Sequence, residues 1–122
     1  MDIIIVGCGK VGQTLAVQLN NDGNNITVID LNASKVNEVI SRHDIMGVVG
    51  NCATQHIQRE AGVDKAYLLI AVTGSDELNL LCCLIAKKAG NCHTIARVRN
   101  PQYSSEARFL KDELGLAMII NP

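Results

Sequence analysis

Short apolar runs recur along the chain and predict six β-strands. The clearest is Ile-Ile-Ile-Val at residues 3–6, which contains no polar position. A continuous apolar run of this length is typical of a parallel strand that is covered on both faces. The other predicted strands span residues 26–29, 45–49, 67–72, 94–99 and 117–120.

Apolar residues at helical spacing separate these strands. Val11, Leu15 and Leu19 recur every four residues and predict a helix that ends near residues 20–23. Similar patterns predict helices at residues 34–42, 54–61, 78–89 and 105–114. The alternation of strands and helices therefore extends over the whole chain.

Capping and breaking residues support these boundaries. Either Ser75 or Asp76 can cap the fourth helix, and Gly90 is expected to end it. Pro101 breaks the fifth strand, and Gly115 ends the last helix. Six strands alternating with five helices predict an α/β fold with a Rossmann-like doubly wound parallel sheet. The predicted strand order is 3-2-1-4-5-6, with helices on both faces in three layers.

Composition limits the possible functions. A chain of 122 residues fits one domain, and 48% hydrophobic with 19% charged residues indicates a globular protein. The net charge of -1 gives no electrostatic reason to expect a nucleic acid or an anionic membrane as partner. No apolar run approaches the roughly 20 residues that span a bilayer. We therefore expect a soluble, cytoplasmic protein that does not insert directly into a membrane.

The cysteines and histidines do not form a metal-binding pattern. The five cysteines include no C-x-x-C pair, and the three histidines are scattered singly. We interpret the cysteines as free thiols used as small apolar residues, and we predict no metal site.

A glycine-rich turn follows the first strand and opens the first helix. In such a turn Gly7 permits a tight bend, Gly9 lets the backbone approach a phosphate, and Gly12 lets the helix pack closely on the sheet. The helix N-terminus then offers N–H groups and partial positive charge to a diphosphate. The alternative is tight packing without a ligand. The candidate binding residues here are Gly7, Cys8, Gly9, Lys10, Val11 and Gly12.

An acidic residue ends the second strand, 23 positions after Gly7. This residue, Asp30, is placed to accept hydrogen bonds from a ribose diol and would repel a 2′-phosphate, which favours NAD over NADP. Its neighbour Leu31 is a further candidate. The alternative role for Asp30 is a helix cap.

Three more polar clusters follow predicted strands, at the edge where such sheets bind ligands. Asn51 follows strand three, beside the expected position of an adenine. Residues 72–79 follow strand four and include Asp76, which could simply cap a helix. Arg97 and Arg99 are two apart on strand five and are expected to project to the same side, as ligand contacts or as salt-bridged edge residues.

These clusters together resemble the potassium-transport nucleotide-binding domain, also called the RCK or KTN domain. The resemblance extends over essentially the whole chain. It is carried by IIVGCGKVG at 4–12, VID at 28–30, GNCAT at 50–54, AVT at 71–73, Asp76, Glu77, Asn79, IARVRNP at 95–101 and INP at 120–122.

The resemblance implies a regulatory domain that binds NAD(H) or an adenine nucleotide (ATP, ADP or AMP) and gates potassium transport. Such domains form homodimers or larger rings on the cytoplasmic face of a membrane transporter or channel. Relatives usually continue past the last strand, so residues 1–122 are expected to be a domain excised from a longer chain or else a single-domain subunit. The implied contacts are Asp30 with the ribose, Asn51 and Cys52 with the adenine, Thr73 and Asn79 near the ligand, and Arg97 with a phosphate.

The alternative function is that of the cofactor domain of an NAD-dependent oxidoreductase. An oxidoreductase needs a substrate pocket and an acid or base near the nicotinamide, usually from a further domain. The nucleotide fold uses all six predicted strands, and none of the three histidines follows a strand in an obvious catalytic position. We therefore favour a sensor without catalytic residues.

The fourth predicted helix is apolar nearly all round between residues 78 and 86. Such a helix can lie deep in the cover of its own sheet, or its outer face can pack against a partner subunit. We favour the partner subunit.

Overall fold

Six parallel strands form one sheet in a computed structural model that describes residues 1–121. The strands are β1 Asp2–Val6, β2 Asn25–Asp30, β3 Met46–Val49, β4 Leu68–Ala71, β5 His93–Arg97 and β6 Met118–Ile120. Their order in the sheet is β3-β2-β1-β4-β5-β6, which confirms the predicted topology. Pro122, the last residue of the predicted INP match, lies outside the described residues.

Within residues 1–121, six helices connect the strands, one more than predicted. They are α1 Lys10–Asn21, α2 Ala33–Ile40, α3 Gln55–Glu60, α4 Asp76–Gly90, α5 Pro101–Ser104 and α6 Ala107–Leu114. The sequence pattern does not predict the short helix α5, because Pro101 after an apolar strand indicates only a strand breaker. Proline also suits the first position of a helix, and here Asn100 accepts a hydrogen bond from the Gln102 amide as its cap.

Alternating side chains of β1 build two separate cores. Ile4 and Val6 belong to the core that lies under α3, α4 and α6. Ile3 and Ile5 belong to the opposite core, under α1 and α2. Because both faces of the sheet are covered, β1 contains no polar position after its first residue, as the pattern of residues 3–6 predicted.

Helix α4 packs mainly into the cover of its own sheet. Leu80, Cys82, Cys83 and Ala86 are buried, and α3 and α6 flank the helix. This accounts for much of the apolar character that had favoured a partner subunit. Leu81, at 46% exposure, still faces outward.

Most predicted boundaries differ from the observed ones by one or two residues, and the end of β5 matters for the site. Strand β5 ends at Arg97, so the two-residue alternation does not reach Arg99, and Arg97 is buried while Arg99 is exposed. Helix α4 ends at Gly90, as predicted, and its C-cap is Asn91, whose φ of 54° is left-handed. Gly90 is required for another reason, because a Cβ there would overlap the carbonyl oxygen of Val63.

The sheet topology creates a crevice at the carboxyl ends of β1 and β4. These strands are neighbours, but β1 continues into α1 on one face and β4 into α4 on the other. Ligands of open α/β sheets bind at such a switch point. Within residues 1–121, no helix combines the length and the apolar character needed to cross a membrane.

Candidate functional site

The glycine turn between β1 and α1 forms one wall of the crevice. Gly7 has a φ of 107°, and a Cβ there would lie 3.0 Å from the backbone of Val72 and Thr73. A Cβ at Gly12 would overlap the Gly7 carbonyl oxygen, so only glycine lets α1 pack onto the turn. An added Cβ at Gly9 would meet no atom of residues 1–121 within 4 Å, which leaves its backbone open to the crevice.

The N-terminus of α1 keeps its backbone donors available. Helices α2 to α5 each begin with a side-chain oxygen that accepts a hydrogen bond from the first turn. Helix α1 instead has Gly9 as its N-cap residue, and within residues 1–121 no side chain caps it and no acidic residue occupies its first turn. Uncapped N–H groups and the helix dipole together favour an anion at this position.

Asp30 lies at the end of β2, and both of its carboxylate oxygens are oriented by backbone amides. The Cys8 amide donates to Oδ2 at 2.7 Å, and the Asn32 amide donates to Oδ1 at 2.9 Å. Each carboxylate oxygen can accept a second hydrogen bond. Asp30 therefore joins the glycine turn to the start of α2 and keeps acceptor capacity for a hydroxyl group in the crevice.

Asn79 organises the opposite wall, after β4. Its Oδ1 accepts hydrogen bonds from the amide and the hydroxyl of Thr73, at 2.9 and 2.6 Å. Its Nδ2 donates to the carbonyl oxygens of Thr73 and Arg97. Asn79 is fully buried, so it shapes the loop without lining the crevice itself.

Arg97 crosses from β5 to the same loop. Its Nη2 donates to the carbonyl oxygens of Val72 and Thr73, at 3.0 and 2.8 Å. Its Nε is buried and has no hydrogen-bond partner among residues 1–121. Burial, with the nearby charge of Arg99, lowers the pKa of Arg97. An arginine side chain nevertheless stays protonated, so this wall carries a positive charge.

Asp76 has a structural position outside the crevice. Its two carboxylate oxygens accept hydrogen bonds from the amides of Arg99 and Asn100, at 3.0 and 2.7 Å. These bonds connect the start of α4 to the segment after β5. The cap of α4 is Ser75, whose hydroxyl accepts from the Leu78 amide, which decides between the two predicted caps.

Together these walls enclose a cavity of about 500 Å³. The structure brings ten of the predicted residues to its lining: Gly7, Gly9, Lys10, Val11, Asp30, Leu31, Asn51, Cys52, Thr73 and Arg97. Four predicted residues do not line it: Cys8, Gly12, Asp76 and Asn79. The first two support the glycine turn from behind, and the last two support the β4–α4 loop.

The sequence interpretation missed Lys35, which also lines the cavity. The Lys35 amide donates to the side chain of Asn32, the cap of α2, and this places Lys35 in the first turn after Asp30. The sequence signal that could have indicated Lys35 is Asn32, a typical N-cap residue, which places Lys35 in the first turn of the helix. With Lys10 and Arg97, Lys35 brings the number of basic side chains around the cavity to three.

Cys8 is part of the glycine turn, but its side chain belongs to the core under α1 and α2. Burial and the charge of Asp30 raise the pKa of Cys8 to about 12. The thiol therefore stays neutral. Within residues 1–121, no group of three or more His, Cys, Asp and Glu side chains is placed to hold a metal ion.

The residues present fit a nucleotide with at least one phosphate. Gly9 leaves open space where a phosphate needs to approach the backbone, and the α1 N-terminus can bind an anion there. Asp30 offers acceptors for a ribose diol, and basic side chains lie around the same cavity.

Fold, turn and crevice define a Rossmann-like domain with a candidate nucleotide site at its switch point. The sequence profile of the TrkA-N domain matches residues 3–122, and the chain belongs to this family. This confirms the resemblance to potassium-transport nucleotide-binding domains.

Relatives in this family are much longer than the chain. It is 40% identical to a Trk system potassium uptake protein TrkA homolog of Archaeoglobus fulgidus over 124 residues, which cover 100% of this chain and 28% of the relative. It is 39% identical to the Trk system potassium uptake protein TrkA of Vibrio alginolyticus over 111 residues, covering 90% of this chain and 24% of the relative. The chain thus spans about a quarter of each of these relatives.

Solved structures share the fold at low identity. The TrkA-N domain of the Escherichia coli inner membrane protein ybaL has a TM-score of 0.86 at 24% identity, covering 98% of this chain and 86% of that one. The GsuK channel bound to NAD has a TM-score of 0.81 at 22% identity, covering 98% and 21%. The AMP-bound Kef CTD of Shewanella denitrificans has a TM-score of 0.82 at 20% identity, covering 100% and 72%.

Proposed function

We propose that this chain is the nucleotide-binding regulatory domain of a Trk-type potassium uptake system. The observation that carries the proposal is the cavity at the switch point, where the uncapped α1 N-terminus, Asp30 and Arg97 converge. Family membership supports the link to potassium uptake. The cavity binds the nucleotide, and the effect of occupancy on the surrounding walls is passed on to the transporter.

In this proposal the parts of the ligand bind to different elements. The ribose diol donates to Asp30, and the adenine lies beside Asn51 and Cys52. The phosphates approach Gly9 and the α1 N-terminus, with Arg97 as the counter-charge on the facing wall. Thr73, whose backbone is fixed by Asn79 and Arg97, completes the loop on that side.

NAD(H) is the proposed ligand, with ATP, ADP or AMP as the alternative. The carboxylate of Asp30 would repel a 2′-phosphate, which favours NAD(H) over NADP(H). The neighbours bound to NAD and to AMP support an adenine nucleotide in this fold. Lys35 lines the same cavity as Asp30. Its positive charge would attract a 2′-phosphate and therefore acts against the preference for NAD(H) over NADP(H).

Calorimetry with NADH, NADPH, ADP, AMP and adenosine tests the ligand assignment. We expect NADH to bind more tightly than NADPH, and the phosphorylated ligands to bind more tightly than adenosine. Equal affinities for NADH and NADPH would contradict the role of Asp30. Mass spectrometry of the nucleotide that co-purifies with the chain identifies the physiological ligand independently.

We infer that the chain binds its nucleotide without turnover. Among residues 1–121, no histidine lines the cavity, and its charged side chains are those of Asp30, Lys10, Lys35 and Arg97. An oxidoreductase would need an acid or base beside the nicotinamide. Steady NADH consumption with panels of alcohols or hydroxy acids would favour the cofactor domain of an NAD-dependent oxidoreductase instead.

We further propose that the chain is one domain of a longer protein that assembles as a homodimer or larger ring at the inner face of the membrane. Family membership supports an assembly, and the exposed Leu81 on the outer face of α4 is the position at which we test a contact. Light scattering is expected to show species larger than the 13.1 kDa monomer. Leu81→Asp should shift the distribution towards the monomer, and an unchanged distribution would remove α4 from the interface.

A further inference from the structure

We propose that Cys52 and Cys82 form an oxidisable dithiol pair, which a peroxide reaches through the nucleotide cavity and converts to a disulfide. The role of the cavity as a nucleotide site rests on the function proposed above. Formation of the disulfide in the empty cavity does not depend on it.

The two sulfur atoms are in direct contact. The Cys82 thiol donates to the Cys52 Sγ at 2.7 Å, although the residues are 30 positions apart in the chain. Cys52 lies in the segment between β3 and α3, and Cys82 lies in the middle of α4. A disulfide needs the sulfurs to approach to about 2.05 Å, so little movement separates the two states.

Gln58 of α3 holds the two cysteines together. Its Nε2 donates to the carbonyl oxygen of Cys52 at 2.8 Å and to that of Cys82 at 3.0 Å. The side chain is fully buried, and its Oε1 has no hydrogen-bond partner among residues 1–121. A buried polar group is costly unless it is well bonded, so this amide fixes the relative position of the two backbones.

Access is limited to one of the two thiols. Cys52 lines the cavity and retains 6% exposure, whereas Cys82 is completely buried behind it. The hydrogen bond from Cys82 lowers the pKa of Cys52. The same bond, with burial, raises the pKa of Cys82. Cys52 is therefore the nucleophile, and Cys82 is the resolving thiol.

The reaction balances with a hydroperoxide as the oxidant. The Cys52 thiolate attacks the peroxide, the O–O bond breaks, and an alcohol or water leaves with Cys52 as the sulfenic acid. The Cys82 sulfur then attacks the Cys52 sulfur, the S–O bond breaks, and water leaves with the Cys82 proton. Overall, two thiols lose two hydrogens, and the peroxide is reduced to water and an alcohol or to two waters.

The other cysteines provide matched controls. Cys83 is next to Cys82 in the chain, but its thiol points to the carbonyl oxygen of Ile95 at 3.5 Å. Burial raises the pKa of Cys83 to about 12. Cys92 is buried as well, and among the described residues neither Cys83 nor Cys92 lines the cavity.

The first experiment treats the ligand-free chain with hydrogen peroxide and follows free thiols and intact mass. We expect the five free thiols to fall to three, with loss of two hydrogens, reversal by dithiothreitol, and a Cys52–Cys82 link in tandem mass spectra. Cys83→Ala should behave like the wild type. Cys82→Ala should stop at a dimedone-reactive sulfenic acid on Cys52.

A different pairing, or retention of both thiols while peroxide is consumed elsewhere, would overturn the proposal. The mass spectrum of the wild-type chain decides this even if a variant fails to fold.

The second experiment repeats the oxidation with NAD⁺, which peroxide does not oxidise. At about ten times its Kd, NAD⁺ leaves roughly a tenth of the sites free, so oxidation should slow about tenfold. If calorimetry shows that NAD⁺ binds but the oxidation rate is unchanged, access through the cavity is overturned while the nucleotide function stays intact. Absence of binding in calorimetry would instead remove the nucleotide function, and the disulfide would be judged by the first experiment.

Discussion

Two helices begin beside each other at the carboxyl edge of the sheet, and their first turns are built differently. Helix α1 follows β1, and its N-cap residue is Gly9, so within residues 1–121 it has no side-chain cap. Helix α4 follows β4, and its N-cap residue is Ser75, whose hydroxyl accepts from the Leu78 amide at 3.1 Å. Acidic residues occupy the first turn of α4, where they interact favourably with the helix dipole.

Backbone groups of the β4–α4 segment find side-chain hydrogen-bond partners within the described residues, whereas the first amides of α1 do not. Asn79 and Arg97 form hydrogen bonds with groups of Thr73, and Asp76 accepts hydrogen bonds from the amides of Arg99 and Asn100. The β4–α4 side of the cavity, which we call the closed wall, is thus a hydrogen-bonded network, while the β1–α1 side, the open wall, keeps backbone donors for a ligand. Substitutions in the closed wall should change mainly stability. In the open wall, substitutions of groups that face the cavity should change mainly binding, whereas a substitution at the packing contact behind the turn should change stability as well.

The largest expected effect is that of Gly12→Ala. The added methyl would overlap the Gly7 carbonyl oxygen, which is backbone and cannot rotate away. Overpacking of this kind costs about 3 kcal/mol. We expect that loss in the free energy of unfolding, measured in urea, together with loss of nucleotide binding.

Gly74→Ala is the matched control, because a Cβ at Gly74 meets no atom of residues 1–121 within 4 Å. Its free energy of unfolding should change by less than about 1 kcal/mol. If Gly12→Ala and Gly74→Ala lose similar free energies of unfolding, the close approach of Gly12 to the Gly7 carbonyl oxygen is not the reason that glycine is needed there.

Asp30→Ala tests the open wall. Removal of a charged hydrogen-bond partner costs roughly 1.5–3 kcal/mol, about ten- to a hundredfold in affinity. We expect this loss for NADH and a smaller loss for NADPH, which narrows the gap between them in calorimetry. Asn32→Ala removes the cap of α2 but keeps the carboxylate, so it should keep the gap. An unchanged gap in Asp30→Ala would remove Asp30 from ligand discrimination.

Arg97 supports the closed wall and also lines the cavity, and Arg97→Ala separates these two roles. Its guanidinium supports the carbonyl oxygens of Val72 and Thr73, so the substitution should lower the free energy of unfolding. If Arg97 also binds phosphate, ATP, ADP and NADH should weaken about ten- to a hundredfold, while adenosine binding stays almost unchanged. Equal weakening of adenosine and ATP would make Arg97 purely structural.

The open wall could be predicted well from the sequence because local rules determine it. The glycine spacing, the apolar run before it and Asp30 at the end of the next strand are read directly along the chain. The same local rules predicted the strand order, because crossovers between parallel strands have a fixed hand. The structure confirms this order.

The long-range contacts of the closed wall could not be predicted, because their partners come from distant segments. Asp76 was expected at the ligand, but it bonds amides 23 and 24 positions away. The contact between Cys52 and Cys82 also depends on how α3 and α4 pack, which periodicity alone does not reveal. Composition indicated only that the cysteines are small and apolar.

The smallest expected effect is that of Ser75→Ala, at the cap of α4. The substitution leaves the Leu78 amide without its side-chain acceptor, and loss of an N-cap costs about 1 kcal/mol. Asn79 still fixes the amide and hydroxyl of Thr73, so the wall keeps its shape and NADH affinity should not change. Ser75→Gly is the matched control, because glycine is tolerated at an N-cap at a cost of a few tenths of a kcal/mol. Urea unfolding should therefore order the chains as wild type, Ser75→Gly and Ser75→Ala, while calorimetry gives all three the same Kd. Weaker NADH binding by Ser75→Ala would mean that the cap of α4 contributes to the ligand site. The start of α4 would then affect binding as well as stability, contrary to the comparison with α1.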